Sequence, residues 1–182
     1  GGSTTRSHIA KLATSGTGEI DANWNPAANG GVYALAVDAG GVVFAGGGFS
    51  FIGGQVRNCC LARLVGATGA SDTTWTYGIA NSSVFSLVLV ANFLYPAGAF
   101  TTINGLTRRY VARIAKSFNG LNDAVFDAGV DAFVYTLALD PASQSLYVGG
   151  GLRSASGQSA SAPGESTRQP EPRGARRWHA SW

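Results

Sequence analysis

The sequence predicts an all-β protein, a partial β-propeller of about three four-stranded blades. Two observations carry this prediction, a period of about 51 residues and a composition that suits short strands and tight turns. The organising stretch is Val32–Phe49, in which two apolar runs flank a glycine turn and lead into a run of glycines. It recurs at Val84–Phe100 and Val134–Leu152. A fixed period of this length is typical of solenoids and propellers.

Landmark residues keep the same spacing along the chain. A Gly-x-x-Asp-x-x-aromatic turn occurs three times, its aspartates separated by 51 and 51 residues. The spacing predicts three units at about 6–56, 57–107 and 108–159, in one domain over residues 1–159. The landmark columns are Gly18, Gly69, Gly120; Asp21, Asp72, Asp123; Trp24, Trp75, Phe126; Phe44, Tyr95, Tyr147; Ala10, Ala62, Ala112; and Gly54, Gly105, Gly157.

Composition narrows the class of protein. Charged residues are 13% of the chain and glycine is 26 of 182 residues, which favours strands and turns over helices. Residues 1–159 carry nine basic and eight acidic side chains, so no basic footprint points to nucleic acid. No apolar run approaches the ~20 residues of a membrane-spanning helix, so we expect no membrane span.

The chain opens with three short elements. Ile9–Leu12 is predicted as a short strand, Thr14–Gly18 as a turn, and Asp21–Trp24 as an extended piece that Pro26 stops. The strand from Val32 to Asp38 follows.

That strand and its two copies are apolar on both faces. Tyr33, Leu35 and Val37 alternate with small residues, and the copies beginning at Val84 and Val134 repeat the pattern. A strand of this kind is covered on both sides. We therefore expect the units to stack. Three units cannot close a ring of ordinary geometry, since propellers have ~4–8 blades. The two open faces are expected to bind other blades or copies of the chain.

Each first strand turns into a return strand, and the turn is short enough for a hairpin. In the first unit the return strand is Val42–Ala45, which runs into Gly46–Gly48. Glycine persists in a strand where backbones approach closely or the chain bends.

Residues 160–182 break the pattern. They contain Pro163, Pro170 and Pro172 and carry four arginines against two glutamates, which predicts an irregular or disordered basic tail. The chain has no methionine and starts in mid-pattern, so we expect a fragment of a longer propeller protein.

The motifs resemble the bacterial delta-60 repeat family of β-propeller-like proteins. The resemblance covers residues 6–159 and consists of Gly-x-x-Asp-x-x-Trp, Val-Tyr-x-Leu-Ala-x-Asp, Leu-Tyr-Val-Gly-Gly-x-Phe, Ile-x-Gly-x-x-Arg and Leu-Ala-Arg-Leu. Similarity to kelch-type and fungal cortical-marker repeats is weaker. The resemblance implies a secreted or cell-surface repeat protein with no established catalysis. Phe126, Pro96–Ala97 and Leu152 depart from the pattern.

The repeated charged residues are expected to be structural. Each aspartate of the Asp column should accept backbone N–H bonds within its turn. The basic column of Lys11, Arg63 and Arg113 favours a solvated strand face or a hydrogen bond between blades, and a ring of cations for acidic ligands is the alternative. Asp127 and Asp131 are interpreted as loop residues, with Ca²⁺ as the alternative.

No catalytic, cofactor-binding or metal-binding residue is predicted. His8 and His179 are the only histidines, and no cluster has zinc-ligand or catalytic-triad spacing. Glu19, Glu165 and Glu171 give weak support for a glycosidase carboxylate pair. The adjacent Cys59 and Cys60 are interpreted as free thiols, with a redox or metal role as the alternative.

The function predicted is a non-enzymatic extracellular or cell-surface module that binds protein or glycan. The alternative is part of a propeller enzyme acting on glycans, with its active site in missing blades. A third hypothesis, a sugar-binding propeller, requires exposed side chains at Trp24, Trp75 and Phe126.

Overall fold

The computed structural model describes residues 5–57, 59–76, 78–117, 120–142, 144–156 and 158–159. The predicted tail, residues 160–182, lies outside the described residues. All regular structure in the described part is β, so the all-β prediction is confirmed. Those residues include no helix of the length and apolarity needed to cross a membrane.

The strands, in chain order, are β1 Val32–Val37, β2 Val43–Gly47, β3 Phe51–Ile52, β4 Gln55–Val56, β5 Leu61–Leu64, β6 Val84–Val90, β7 Phe93–Gly98, β8 Thr102–Ile103, β9 Leu106–Thr107, β10 Ile114–Ala115, β11 Val134–Asp140, β12 Ser145–Gly150, β13 Ser154–Ala155 and β14 Gln158–Ser159. Every pairing between them is antiparallel.

The strands form three main sheets. The first sheet has the order β1-β2-β5, the second β6-β7-β10, and the third contains β11 and β12. The pairs β3–β4, β8–β9 and β13–β14 are separate two-stranded hairpins, so the largest described sheet has three strands where four were predicted. The difference arises because β3 and β4 pair with each other and not with β2, and because only the single bridge from Leu64 to Ser71 lies beyond β5 in the described part of the chain. The strand β5, which begins the second predicted unit, pairs with β2 of the first. The first and second sheets thus each combine strands of two consecutive units.

Glycines sit where the return strand passes close to the chain before the first strand. Each hairpin β1–β2, β6–β7 and β11–β12 shifts register near its start. At these bulges a Cβ on the return-strand glycine would lie 2.1 to 2.2 Å from a backbone oxygen. The contacts are Gly47 with Gly31, Gly98 with Ser83, and Gly150 with Phe133.

The sheets stack face to face. Strands β1 and β2 contact β6, and strands β6 and β7 contact β11. Leu87 on β6 is only 9% exposed and belongs to a cluster against which Ala34 and Ala36 of β1 pack. A bulky face therefore lies on a small one, and the second sheet is covered on both sides, as the alternating pattern predicts.

The first sheet is covered on one side only. Leu35 and Val37, at the positions that correspond to Leu87 and Leu89, are 49% and 61% exposed. The strand predicted at Ile9–Leu12 is not formed, because no described strand pairs with it. Leu12 makes one antiparallel bridge with Ile20 instead.

We predict that Gly150→Ala lowers the free energy of unfolding by about 1–3 kcal/mol, because the new Cβ overlaps the Phe133 carbonyl. Gly151→Ala is the matched control, since its nearest neighbour, the Ala132 Cβ, is 3.7 Å away. The control should change stability by less than ~0.5 kcal/mol. Urea unfolding of both variants measures the difference, and equal midpoints would contradict the close-approach explanation.

Candidate functional site

The repeated aspartates hold the turns in which they lie, as the sequence predicts. Their carboxylate oxygens accept backbone N–H groups, which closes the turn and keeps the pKa of Asp123 below its ordinary value. In each turn the backbone N–H of the residue two positions later donates to the carboxylate, with N to O distances of 2.8 to 3.0 Å. The donors are Asn23 for Asp21, Thr74 for Asp72, and Val125 for Asp123.

The basic column pairs with the same aspartates. Lys11 lies 2.9 Å from Asp21 through its Nζ, and this hydrogen bond is the main cause of the lowered pKa of Asp21. The corresponding pairs are Arg63 with Asp72 and Arg113 with Asp123. Because each basic side chain has its own carboxylate, the column is not the ring of uncompensated cations that was the alternative.

A second set of arginines fixes the backbone of the same turns. The Arg57 guanidinium donates to the carbonyls of Trp75 and Asp72 at 3.2 and 3.1 Å. Arg108 donates to Ala124 at 2.7 Å, and Arg6 donates to Ala22 at 3.1 Å. Burial lowers the pKa of Arg57 from its ordinary value. These arginines are therefore part of the framework and not ligands for an external anion.

A third polar column was missed by sequence reasoning. Asn29, Asn81 and Asp131 each stand three residues before a first strand. One oxygen of each accepts two consecutive backbone N–H groups where the chain enters the short hairpin. The donors are Ser50 and Phe51 for Asn29, Thr101 and Thr102 for Asn81, and Arg153 and Ser154 for Asp131, all over 2.8 to 3.1 Å. Their position before each first strand was the available signal.

The remaining acidic loop residues also bind backbone. Asp127 accepts the N–H of Gly129 at 3.0 Å. The hydrogen bonds from Arg153 and Ser154 lower the pKa of Asp131. The described residues contain no group of three or more His, Cys, Asp or Glu side chains that could hold a metal ion.

His8 and Glu19 do not come together in a site. His8 is exposed and adopts a φ of 62°, and Glu19 accepts a hydrogen bond from the Thr17 hydroxyl at 3.2 Å. His179, Glu165 and Glu171 lie outside the described residues.

The side-chain sulfur atoms of Cys59 and Cys60 lie in contact with each other, and the interpretation as two free thiols stays a prediction. Both have positive φ, 104° and 114°, a conformation that side-chain-bearing residues rarely adopt. The pair lies between Arg57 and β5, where the second unit has one residue more than the third has between Arg108 and Val111. The unusual backbone of this longer segment was not visible in the sequence.

Two members of the aromatic landmark column, Trp75 and Phe126, lie in the apolar clusters between neighbouring sheets, and Trp24 lies in the cluster on the outer face of the first sheet. Trp24 and Trp75 are 2% and 0% exposed. Trp75 packs edge-on against Phe44 at 5.8 Å between ring centroids, and Phe126 packs edge-on against Tyr95 at 5.4 Å. The tryptophans are not available to a sugar, so the condition set for the sugar-binding hypothesis fails.

A different set of aromatic side chains forms a row across the three sheets. Tyr33, Phe85 and Tyr135 take the same position on β1, β6 and β11, with centroid separations of 5.9 and 5.7 Å. Tyr33 and Tyr135 are each 57% exposed. We call these three residues the aromatic row.

The uncovered face of the first sheet forms an apolar groove with a volume of about 600 Å³. Its lining includes Trp24, Leu35, Val37, Val43 and Leu64. No family model, no curated protein and no solved structure matches the chain.

We predict that Asp131→Asn preserves the hairpin at neutral pH, because Asn29 and Asn81 make the same bonds. The pKa of Asp131 is lowered by folding. Its stabilising contribution is therefore full above the unfolded pKa of about 3.9 and is lost as pH falls through the folded pKa. Urea unfolding at neutral and acidic pH should show a smaller acid loss for Asp131→Asn than for the parent chain.

Asn81→Ala tests the same clamp without a change of charge. It leaves two backbone N–H groups without their acceptor and should cost about 1–3 kcal/mol at every pH. A variant as stable as the parent would contradict the clamp.

Proposed function

We propose that residues 1–159 form a three-unit, β-propeller-like module of the delta-60 repeat type, acting outside the cell as a non-enzymatic interaction scaffold. The stacking of antiparallel sheets, bulky face on small face, supports a partial propeller of about three blades.

The aromatic row is the observation that carries this proposal. Among the described residues, its tyrosines face solvent, whereas the repeated aspartates, arginines and asparagines bind their own chain. Tyrosine offers a flat apolar ring with a polar hydroxyl and is favoured at binding surfaces. The basic residues of the repeated Lys11, Arg63 and Arg113 column are paired with carboxylates of their own chain, and the row itself offers uncharged rings, which favours an uncharged ligand. A neutral glycan or an uncharged protein segment fits it.

The test is a glycan array and a hydrolysis assay on the full chain. A double variant, Tyr33→Ala with Tyr135→Ala, should weaken glycan binding by about tenfold or more, which corresponds to ~1.4 kcal/mol per tenfold. Val125→Ala, at a side chain 89% exposed and outside the row, is the control and should leave binding unchanged.

Two results would overturn the proposal. Glycan cleavage products would exclude a non-enzymatic scaffold and favour the glycan-cleaving alternative. Binding that is equal in the double variant and the parent would remove the row from the function.

A further inference from the structure

The junctions between neighbouring sheets share three contacts. At each junction a leucine on the first strand of the later sheet packs on small or β-branched residues of the earlier sheet. Leu87 packs on Ala34 and Ala36, and Leu137 lies in one apolar cluster with Val88. An aromatic of the return strand meets the aromatic that leads into the next sheet, as in the pairs Phe44–Trp75 and Tyr95–Phe126. A strand from the following unit completes the earlier sheet, as β5 and β10 do.

One junction carries an additional hydrogen bond. The backbone N–H of Leu137 donates to the Ser86 hydroxyl at 3.0 Å, which ties β11 to β6. Thr136 holds the position of Ser86 in the third unit, and Leu35 holds the position of Leu137 in the first. These two residues therefore offer the matching acceptor and donor.

The first sheet presents one half of such a junction, which we call the head. Leu35 and Val37 correspond to the buried Leu87 and the partly buried Leu89 of the second sheet but are exposed. Trp24 corresponds to Trp75 and lines the groove beside them. The indole N–H of Trp24 is buried without a partner among the described residues, whereas that of Trp75 donates to the Ala115 carbonyl at 3.4 Å.

The third sheet presents the other half, which we call the tail face. Thr136 and Ala138 of β11 are exposed, at the positions of Ser86 and Val88. Tyr147 of β12 corresponds to Phe44 and is 63% exposed. The described third sheet has only β11 and β12, so the edge of β12 that corresponds to the β5-binding edge of β2 has no strand beside it.

The head also carries the strand that this edge lacks. Ile9–Leu12 matches β5 in sequence, and Leu12 bridges Ile20 as Leu64 bridges Ser71. In the first sheet Val43 is opposite Leu64 and Gly46 is opposite Leu61. The same register would place Leu12 opposite Leu146 and Ile9 opposite Gly149.

We infer that a second copy of this chain docks head to tail. The Ile9–Leu12 segment of one copy adds as a third strand to β12 of the other, a form of β-strand addition. Leu35 and Val37 cover Thr136 and Ala138, and Tyr147 packs on Trp24. The inference rests on the proposed scaffold function and names one partner for it.

Charge does not oppose this docking. Lys11 is the charged residue of the added strand, and its Nζ is already paired with Asp21. Head and tail differ from each other, so the contact is heterologous and leads either to a closed ring or to a longer assembly. Two copies would bring six units together, within the ~4–8 blades of closed propellers.

Sedimentation velocity on the full chain, with two blocked variants, tests the inference. Leu35→Arg with Val37→Arg blocks the head, and Thr136→Arg with Ala138→Arg blocks the tail face. All four positions are exposed, so circular dichroism should show folded variants. The parent chain should associate, and each blocked variant alone should sediment as a monomer.

An equimolar mixture of the two variants is the decisive sample. It retains one intact head and one intact tail face, so it should form a heterodimer of twice the 18.6 kDa of one chain and nothing larger. A parent chain that stays monomeric at every concentration overturns the inference. Self-association of the tail-blocked variant also overturns it, because that result indicates head-to-head contact.

The Thr136 hydroxyl provides a finer test. Thr136→Val keeps the shape and removes the acceptor, so it should weaken association by roughly threefold to tenfold. Thr136→Ser should restore it. An unchanged affinity in Thr136→Val would show that the hydrogen bond to Leu35 is not made and that the inferred register is incorrect.

Failure of the docking is distinguishable from failure of the proposed function. The blocked variants leave the aromatic row intact, so glycan binding is measured on the same monomers. A parent chain that binds glycans but never associates overturns the docking alone. A chain that associates and cleaves glycans overturns only the non-enzymatic function.

Discussion

A strand with two apolar faces needs a covering layer on each side, and the rest of the structure depends on this constraint. The residues of β6 alternate between bulky and small, so each face fits the opposite face of a neighbouring sheet. Leu87 is 9% exposed, while Leu35 in the same position on β1 is 49% exposed. Full burial of a leucine is worth ~1.5–3 kcal/mol, so every junction adds stability that an isolated sheet lacks. Stacking is therefore a condition of the fold.

The polar columns fix the path of the backbone between the sheets. Arg57 binds carbonyls of the turn that connects β5 to β6, and Asp72 holds that turn from within. Asn81 then fixes the hairpin beside the next sheet. Repeated charges and amides of this kind resemble a binding site in sequence, yet their hydrogen-bonding capacity is largely used by the backbone. The exposed aromatic row and the uncovered faces of the described sheets are not used in this way.

The sequence was informative where a property depends on alternation and spacing. The positions of the first strands and the role of Asp72 as a turn residue both followed from it. Features that depend on distant pairing were not visible. Asn81 binds backbone twenty residues later, and its column contains both Asn and Asp, so it did not present one residue type at a fixed spacing. The pairing of β5 with β2 depends on backbone geometry that periodicity does not encode.

The sheets are offset by one strand from the sequence units, and this offset has a structural consequence. Because β5 follows the hairpin β3–β4 yet completes the sheet of β1 and β2, a sheet of this type takes its third strand from the next unit. Any consecutive run of such units then has a strand without a sheet at one end and a sheet without its third strand at the other. The two are complementary by construction, since each is half of a junction that the interior forms repeatedly. Their complementarity does not depend on how many units lie between them, so the same rule that holds neighbouring sheets together also determines what the end faces can bind.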